Sequence, residues 1–174
     1  MSIANEFLAE YEAQAPITRK FLERIPANRL TFQPHSKSMT IGQLALHIAN
    51  VPGGILRLCQ NNPALGPGEF RAPHPTSLAD ILKAFDEDAA VVRGLLPTLS
   101  DTAMKETWVL KIGGRTAVEQ PRADFLRDVM FSHVYQHRGQ LSVYLRMLDV
   151  PVPSTWGPSA DEAPNFTPRE VSVA

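Results

Sequence analysis

The chain has 174 residues, of which 44% are hydrophobic and 20% charged, and its net charge is -1. This composition is ordinary for a globular protein and predicts one domain over residues 1–174. The balanced charge predicts that neither nucleic acid nor membrane is a partner. Cys59 is the one cysteine, which rules out an intramolecular disulfide and fits a reducing compartment. The N-terminus lacks a signal-peptide pattern, so we expect a cytoplasmic protein.

The first predicted helix runs from about Ile3 to Ile25. Its apolar residues recur every four positions and form one stripe, made by Ile17, Phe21 and Ile25. Pro16 lies inside this run and lacks a backbone donor, so we expect it to kink the helix or divide it in two. The polar stretch from Pro26 to Ser38 is predicted to be a connection.

The second predicted helix begins near Thr40, which forms a capping-box pattern with Gln43 three residues later. His47 lies on or beside the apolar face of this helix, which consists of Ile41, Leu44, Ala45 and Ile48. The sequence Pro52-Gly53-Gly54 disrupts the pattern, so we expect a kink before the helix resumes to about Cys59. The stretch from Asn61 to Pro75 is rich in proline and glycine and is predicted to be a loop.

A third helix and a hairpin are predicted next. Ser77 and Asp80 cap the start of a helix whose apolar positions recur at spacings of three and four from Leu78 to Leu99. Between Thr107 and Val118 the period changes to two, and Gly113-Gly114 supplies the positive φ angles of a tight turn. We therefore expect a short β-hairpin between helices three and four.

The fourth predicted helix runs from about Pro121 to Leu148, and its apolar stripe includes His133 and His137. After Val150 the chain is rich in proline through Pro168, and we expect this tail to wrap irregularly over the helices, anchored by Trp156. These elements predict an all-α fold, a helical bundle with a short β-hairpin and an irregular proline-rich C-terminal tail.

His133 and His137 are four residues apart, so on a helix their imidazoles lie one turn apart on the same face. Two buried imidazoles would each need a partner, and a shared metal ion satisfies both at once. His47, on a second apolar face, would complete a three-histidine site with at least one open coordination position, as in catalytic metal sites. Imidazole ligands suit zinc, nickel, iron or copper. The alternative is that these are core histidines with hydrogen-bonded partners and no metal.

Other nearby residues narrow the chemistry. Position 134 is a valine, which excludes the His-Glu-x-x-His motif of zinc proteases. Gln140 lies on the face of the histidine pair and could orient a ligand, and Gln43 could do the same for His47, although both could equally be solvated. His74 is predicted to be a surface loop residue, and Cys59 is too far along its helix to be a good ligand.

The segment Ile41-Gly42-Gln43-Leu44-Ala45-Leu46-His47-Ile48 resembles the second helix of the DinB/YfiT-like family. The segment from His133 to Leu141, followed by Val152-Pro153 and by Trp156 to Glu162, resembles its fourth helix and tail. This resemblance implies an up-down four-helix bundle with a divalent metal, nickel or zinc, held by His47, His133 and His137. It also implies a homodimer and, as in some relatives, a low-molecular-weight thiol used by a transferase or isomerase.

Two functions therefore compete. The first is a metal-dependent enzyme, a hydrolase or a thiol-dependent transferase, in which the metal activates a water or a thiolate to attack a small-molecule substrate. The second is a non-catalytic metal-binding bundle in which the histidines join two helices or support a partner. The sequence does not name the substrate.

Overall fold

The computed structural model describes residues 1–68 and 72–163, which form a mostly helical protein with a small three-stranded sheet. The longer helices are α1 (Ile3–Glu23), α2 (Ile41–Leu58), α3 (Leu78–Leu95) and α6 (His133–Met147), and the shorter ones are α4 (Asp101–Lys105) and α5 (Arg122–Leu126). The strands are β1 (Ala64–Leu65), β2 (Thr107–Ile112) and β3 (Arg115–Pro121). Short 3₁₀ turns occur at Ala27–Arg29 and Leu96–Thr98. None of the described helices is long and apolar enough to cross a bilayer.

The hydrophobic core lies where the long helices meet. Helix α2 packs against α3 and α6, while α1 packs against α3 and α6 from the other side. Side chains from the helices and from the hairpin fill this space, and the largest of those that are almost fully buried include Trp108, Phe131, Leu22, Ile48 and Leu126. The core therefore holds α2 and α6, which carry the three candidate ligands, side by side.

Helix α1 is continuous from Ile3 to Glu23, so Pro16 does not divide the first helix, which was one of the two outcomes that we expected. Pro16 is exposed, and so is Glu12, whose carbonyl loses its intrahelical donor to the proline. Water can satisfy that carbonyl, which allows the helix to continue through the proline.

Helix α2 is likewise continuous through Pro52-Gly53-Gly54, where the sequence predicted a kink before the helix resumed. Gly53 is buried, and its backbone N–H donates a 2.7 Å hydrogen bond to Oδ2 of Asp88 on α3. A Cβ atom at position 53 would lie 2.5 Å from Oδ1 of Asp88, so glycine permits the close approach of the two helices. The sequence Pro52-Gly53-Gly54 therefore coincides with a close contact between α2 and α3, and the helix does not break there.

The start of α2 and the hairpin agree with prediction. Thr40 and Gln43 form the expected capping box at the N-terminus of α2. Strands β2 and β3 pair in antiparallel fashion, and Gly113 and Gly114 turn the chain with φ angles of +57° and +78°. Strand β1 was not predicted, and it pairs in parallel with β2 inside the stretch that we expected to be a loop.

The predicted third and fourth helices are subdivided in the structure. Helix α3 ends at Leu95, and a 3₁₀ turn that contains Pro97 replaces the last predicted turn. The fourth helix begins at Arg122, directly after Pro121, and it contains a π-helical segment, Arg127–Ser132, between α5 and α6. This segment widens the helix immediately before His133.

The tail is irregular as far as Ala163, with no helix or strand in residues 151–163, and its predicted continuation through Pro168 lies outside the described residues. Trp156, the expected anchor, is 55% exposed. Carboxylates hold the tail. Glu162 forms ion pairs with Lys20 on α1 and with Arg24, which directly follows α1, and Asp161 forms an ion pair with Arg146 on α6.

Candidate metal centre

The three predicted ligands come together at one place between α2 and α6. His47 lies in the middle of α2, and His133 and His137 occupy successive turns of α6. Each side chain is half-buried. The ring centroids of His133 and His137 are 4.4 Å apart, and those of His47 and His137 are 4.8 Å apart. Helix packing has therefore placed one imidazole from α2 against a pair from α6.

One nitrogen atom from each ring can face a common point. These three nitrogens lie within 4.8 Å of one another, and Nε2 of His47 is 3.0 Å from Nε2 of His133. Metal–nitrogen bonds of about 2.0–2.1 Å place adjacent ligand nitrogens roughly 3.0–3.4 Å apart, depending on the bond angle. The donor set is thus three imidazoles with spacing close to that of ligands on one divalent ion, and it fits a metal.

Burial favours the neutral form of His47 and His133, which is the form that metal binding requires. Desolvation lowers the pKa of His47 to about 4, and the neighbouring His137 and His133 lower it further in the same direction. Desolvation also lowers the pKa of His133, again assisted by His137. A metal ion would therefore compete little with protons for His47 at neutral pH.

Gln140 occupies the position at which the sequence predicted an orienting role. Its Oε1 atom lies 2.7 Å from Nδ1 of His137. Because an amide oxygen can only accept, Nδ1 of His137 carries the proton in this contact. The lone pair of His137 is then on Nε2, which is the tautomer suited to a metal ligand.

Gln43 has a different task from the orientation of His47. Its Oε1 accepts the backbone N–H of Thr40, and its Nε2 donates to the carbonyl of Ala72 at 2.8 Å. Gln43 thereby ties the segment before α3 to the start of α2. His74 is exposed, as expected, and its Nε2 lies 3.2 Å from Nε2 of Gln43.

Cys59, the one cysteine of the chain, lies outside the histidine cluster. Cys59 is buried in the core, and burial raises its pKa to about 12. The thiolate form that binds metals is therefore disfavoured, and Cys59 does not belong to the histidine group. This agrees with its dismissal as a ligand from the sequence.

A cavity of about 790 Å³ opens beside the three imidazoles. Its apolar wall includes Val51, Ile55 and Val129, and polar groups of Lys37 and Asn50 lie at its edge. Two residues of the segment between α2 and α3 also line the cavity, namely Pro67 and Ala72. The cavity is large enough for a small organic molecule to reach the nitrogens from one side. Lys37 and Asn50 were not singled out in the sequence, since neither belongs to a recognisable motif.

Comparison with known proteins agrees with this architecture. The chain is 27% identical over 164 residues to the uncharacterised protein YrdA of Bacillus subtilis, a match that covers 93% of each chain. A crystal structure of a DinB-like protein from Bacillus cereus superposes with a TM-score of 0.67 at 25% identity, over 86% of this chain and 95% of that one. The fold of the DinB-like protein YjoA from Bacillus subtilis is also similar, with a TM-score of 0.61 at 20% identity, over 96% of this chain and 99% of that one.

The family assignment rests on a longer match than the local motifs quoted above. Residues 10–141 match the model of the DinB superfamily, and this range includes α2, the hairpin and both histidines of α6. The matched region covers about three quarters of the chain, so the assignment does not depend on local motifs alone. The chain belongs to the DinB superfamily.

Proposed function

We propose that this protein binds one divalent metal ion, nickel or zinc, through His47, His133 and His137, and that it is an enzyme acting on a small molecule. The observation that carries the proposal is the convergence of three imidazole nitrogens within 4.8 Å at the wall of a 790 Å³ cavity. All three ligands lie on two packed helices, which leaves the cavity side of the site open.

The bound ion would act as a Lewis acid that lowers the pKa of a substrate heteroatom. The residues of the chain have separate roles around it. His47, His133 and His137 hold the ion, Gln140 keeps Nε2 of His137 available, and the apolar wall at Val51 and Ile55 excludes water from the substrate. Lys37 at the edge supplies a positive charge for an anionic substrate group.

The lining of the cavity favours a thiol-dependent transferase over a hydrolase. Among the described lining residues there is no carboxylate that could act as a general base on water. A metal ion lowers the pKa of bound water as well as that of a thiol, but the thiol starts from about 8.5 and water from about 15.7, so the thiol depends less on such a base. In the proposed reaction a carbon–sulfur bond forms at an electrophilic carbon while the leaving group departs with its electron pair.

A non-catalytic role is the alternative, and one observation favours it. The candidate ligands bridge two different helices, so a bound ion would join α2 to α6 and stabilise the fold. In that case a chelator would lower the melting temperature, but no turnover would occur with any pair of thiol and electrophile.

Metal stoichiometry tests the site directly. Protein purified without an affinity tag and incubated with nickel or zinc should hold one ion per chain. The variants His47→Ala, His133→Ala and His137→Ala should each lose the ion, because two imidazoles hold a divalent ion less tightly than three. His35→Ala is the matched control, since His35 is exposed and does not belong to the histidine cluster. Less than stoichiometric binding by the unmodified protein would refute the site.

Turnover separates the enzyme from the alternative. The metal-loaded protein should accelerate the reaction of a small thiol with a chromogenic aryl halide, and His133→Ala should abolish this acceleration. A chromogenic ester tests the hydrolase in parallel. If neither substrate reacts while chelation still lowers the melting temperature, the structural role is the correct one.

The proposal includes an arrangement and an oligomeric state. We propose that α1, α2, α3 and α6 form an up-down four-helix bundle and that the protein is a homodimer. Val143 and Met147, four residues apart on α6, are 56% and 53% exposed and form a small apolar surface suited to such an interface. Light scattering after size-exclusion chromatography should give twice the chain mass, and Val143→Glu should lower it. A single-chain mass for the unmodified protein would rule out the dimer.

A further inference from the structure

A second cavity lies on the other side of α6 from the histidines. It has a volume of about 300 Å³ and is enclosed by α6 and by the tail segment from Val152 to Ser159. Its most unusual lining residue is Arg138, which follows His137 directly in the chain. His137 therefore lines the first cavity, and Arg138 lines the second.

Arg138 is only 6% exposed, and its positive charge is not compensated by a carboxylate in the described part of the chain. Its Nη1 donates to the neutral hydroxyl of Thr18 at 3.2 Å, and its guanidinium lies 5.2 Å from the ring centroid of Tyr135. Buried charges are normally paired, because desolvation of an isolated ion is costly. Burial accordingly lowers the pKa of Arg138.

The free donors of Arg138 open toward this cavity. Nε and Nη2 have no hydrogen-bond partner among the described residues, yet they are not among the described side-chain atoms that are both buried and unpartnered, which are Gln14 Oε1 and Arg122 Nε. They are therefore accessible from the space that the side chain lines. Nε and Nη2 form the edge of a guanidinium that binds two oxygens of one anion in parallel.

The tail that closes the cavity is held firmly in place. Asp161 accepts the backbone N–H of Val152 at 2.8 Å, and Glu162 pairs with Lys20 on α1 and with Arg24 directly after it. The hydroxyl of Ser159 donates to the carbonyl of Val152 at 2.7 Å. Hydrogen bonds and ion pairs thus hold the wall of the cavity, and its lining includes one buried cation, Arg138.

We propose that this cavity binds a small oxyanion, a carboxylate or phosphate group, through the guanidinium of Arg138. The site is distinct from the candidate metal centre, because the two cavities have different lining residues and open on opposite sides of α6. The anion supplies the negative charge that the described residues do not provide.

Thermal unfolding in the presence of a chelator tests this site independently of the metal. Sodium acetate or inorganic phosphate replaces sodium chloride at constant ionic strength. The melting temperature of the unmodified protein should rise with probe concentration and saturate, as expected for a ligand that binds the folded state. Arg138→Gln should abolish the saturable rise, and His133→Ala should retain it.

Two further variants keep the test decisive. Arg115→Gln removes an exposed arginine from the hairpin and should respond like the unmodified protein. Gly139→Leu should block the cavity while leaving Arg138 in place, because a Cβ at position 139 meets nothing within 4 Å. It should therefore fold and lose the response, even if Arg138→Gln does not fold.

The contrary results are equally clear. A general salt effect would raise the melting temperature of every variant by the same amount. Such a result, or the absence of any saturable rise in the unmodified protein, would overturn the proposal.

Discussion

Gly53 shows that the absence of a side chain at one residue can set how closely two helices pack. Its N–H contacts the carboxylate of Asp88, and the carboxylate occupies the space that a Cβ would need. Gly54, the next residue, has open space at the corresponding position. The two glycines look equivalent in the sequence, but only the first is required by packing.

Gly53→Ala should therefore destabilise the protein by about 1–3 kcal/mol, because the new methyl group forces α2 and α3 apart. Gly54→Ala is the matched control and should be neutral or stabilising by roughly 0.5–1 kcal/mol, since alanine is the better helix former. Urea unfolding monitored by circular dichroism measures both. Equal effects of the two substitutions would contradict the close contact.

Gln140 is the other residue whose role can be isolated. Gln140→Leu removes the acceptor for Nδ1 of His137, so the imidazole loses its fixed orientation. Metal affinity should fall by about 10–100-fold, as is typical when a hydrogen bond to a ligand is lost. Competition with a chromogenic chelator measures this, and Gln136→Leu, an exposed position on the same helix, should leave the affinity unchanged. Identical affinities would mean that Gln140 has no orienting role.

At the scale of elements, several predictions follow directly from local chemistry and are confirmed. The capping box of α2 and the glycine turn of the hairpin are encoded within a few adjacent residues, so the sequence alone identifies them. Strand β1 and the π-helical segment Arg127–Ser132 were not predicted. A two-residue strand depends on its partner, and a single π turn shifts the apolar positions by about one residue, which spacings of three and four already tolerate, so neither produces a clear local signal.

The contact between α2 and α3 should make stability depend on pH. Burial raises the pKa of Asp88 from 3.8 to about 6, against hydrogen bonds from Gly53 and Gly54 and the charge of Arg57. Between pH 4 and 6 the folded protein holds a proton that the unfolded chain releases, so stability falls as the pH rises through this window. A shift of about two units corresponds to a loss on the order of 3 kcal/mol.

Asp88→Asn isolates this effect. The amide cannot ionise but can still accept the hydrogen bond from Gly53, so the variant should lack the loss of stability between pH 4 and 6. His47 acts in the opposite direction, since its low pKa makes the protein more stable as the pH rises from about 4 to 6.5. The measurement is therefore the difference in unfolding free energy between the two proteins at each pH. A constant difference would show that Asp88 does not titrate in this range.

At the scale of the whole molecule, the candidate site was predictable because both of its parts follow helical periodicity. His133 and His137 share a face at a spacing of four, and His47 falls beside an apolar stripe, so the packing of the two helices brings them together. Their role as metal ligands stays a prediction. Arg138 was missed, although it follows the buried Val134 by four residues and precedes the buried Leu141 by three. That spacing was a usable signal for a buried charge.

Ion pairs and a backbone hydrogen bond hold the tail segment 151–163 against the helices, which leads to a prediction about the mobility of this segment. Asp161 accepts from the backbone of Val152 and pairs with Arg146, so Asp161→Ala should release the segment 151–163 from α6. Limited proteolysis should then cut this segment several-fold faster, as located by mass spectrometry. Asp149→Asn removes a nearby charge at a position with a φ of +56° that asparagine tolerates, and its cleavage rate should be unchanged. Equal cleavage of the Asp161 variant would show that other contacts hold the tail.

The cavity beside His47, His133 and His137 has walls of two kinds. Packed helices supply the imidazoles, while Pro67 and Ala72 come from the segment between α2 and α3, which is tied down by β1 and by Gln43. That segment can therefore change in sequence without disturbing the imidazoles. Under the proposed function, transplanting the corresponding segment from a relative should change which small molecules react, while metal affinity stays constant. The two kinds of wall would then allow the choice of substrate to vary independently of the metal centre.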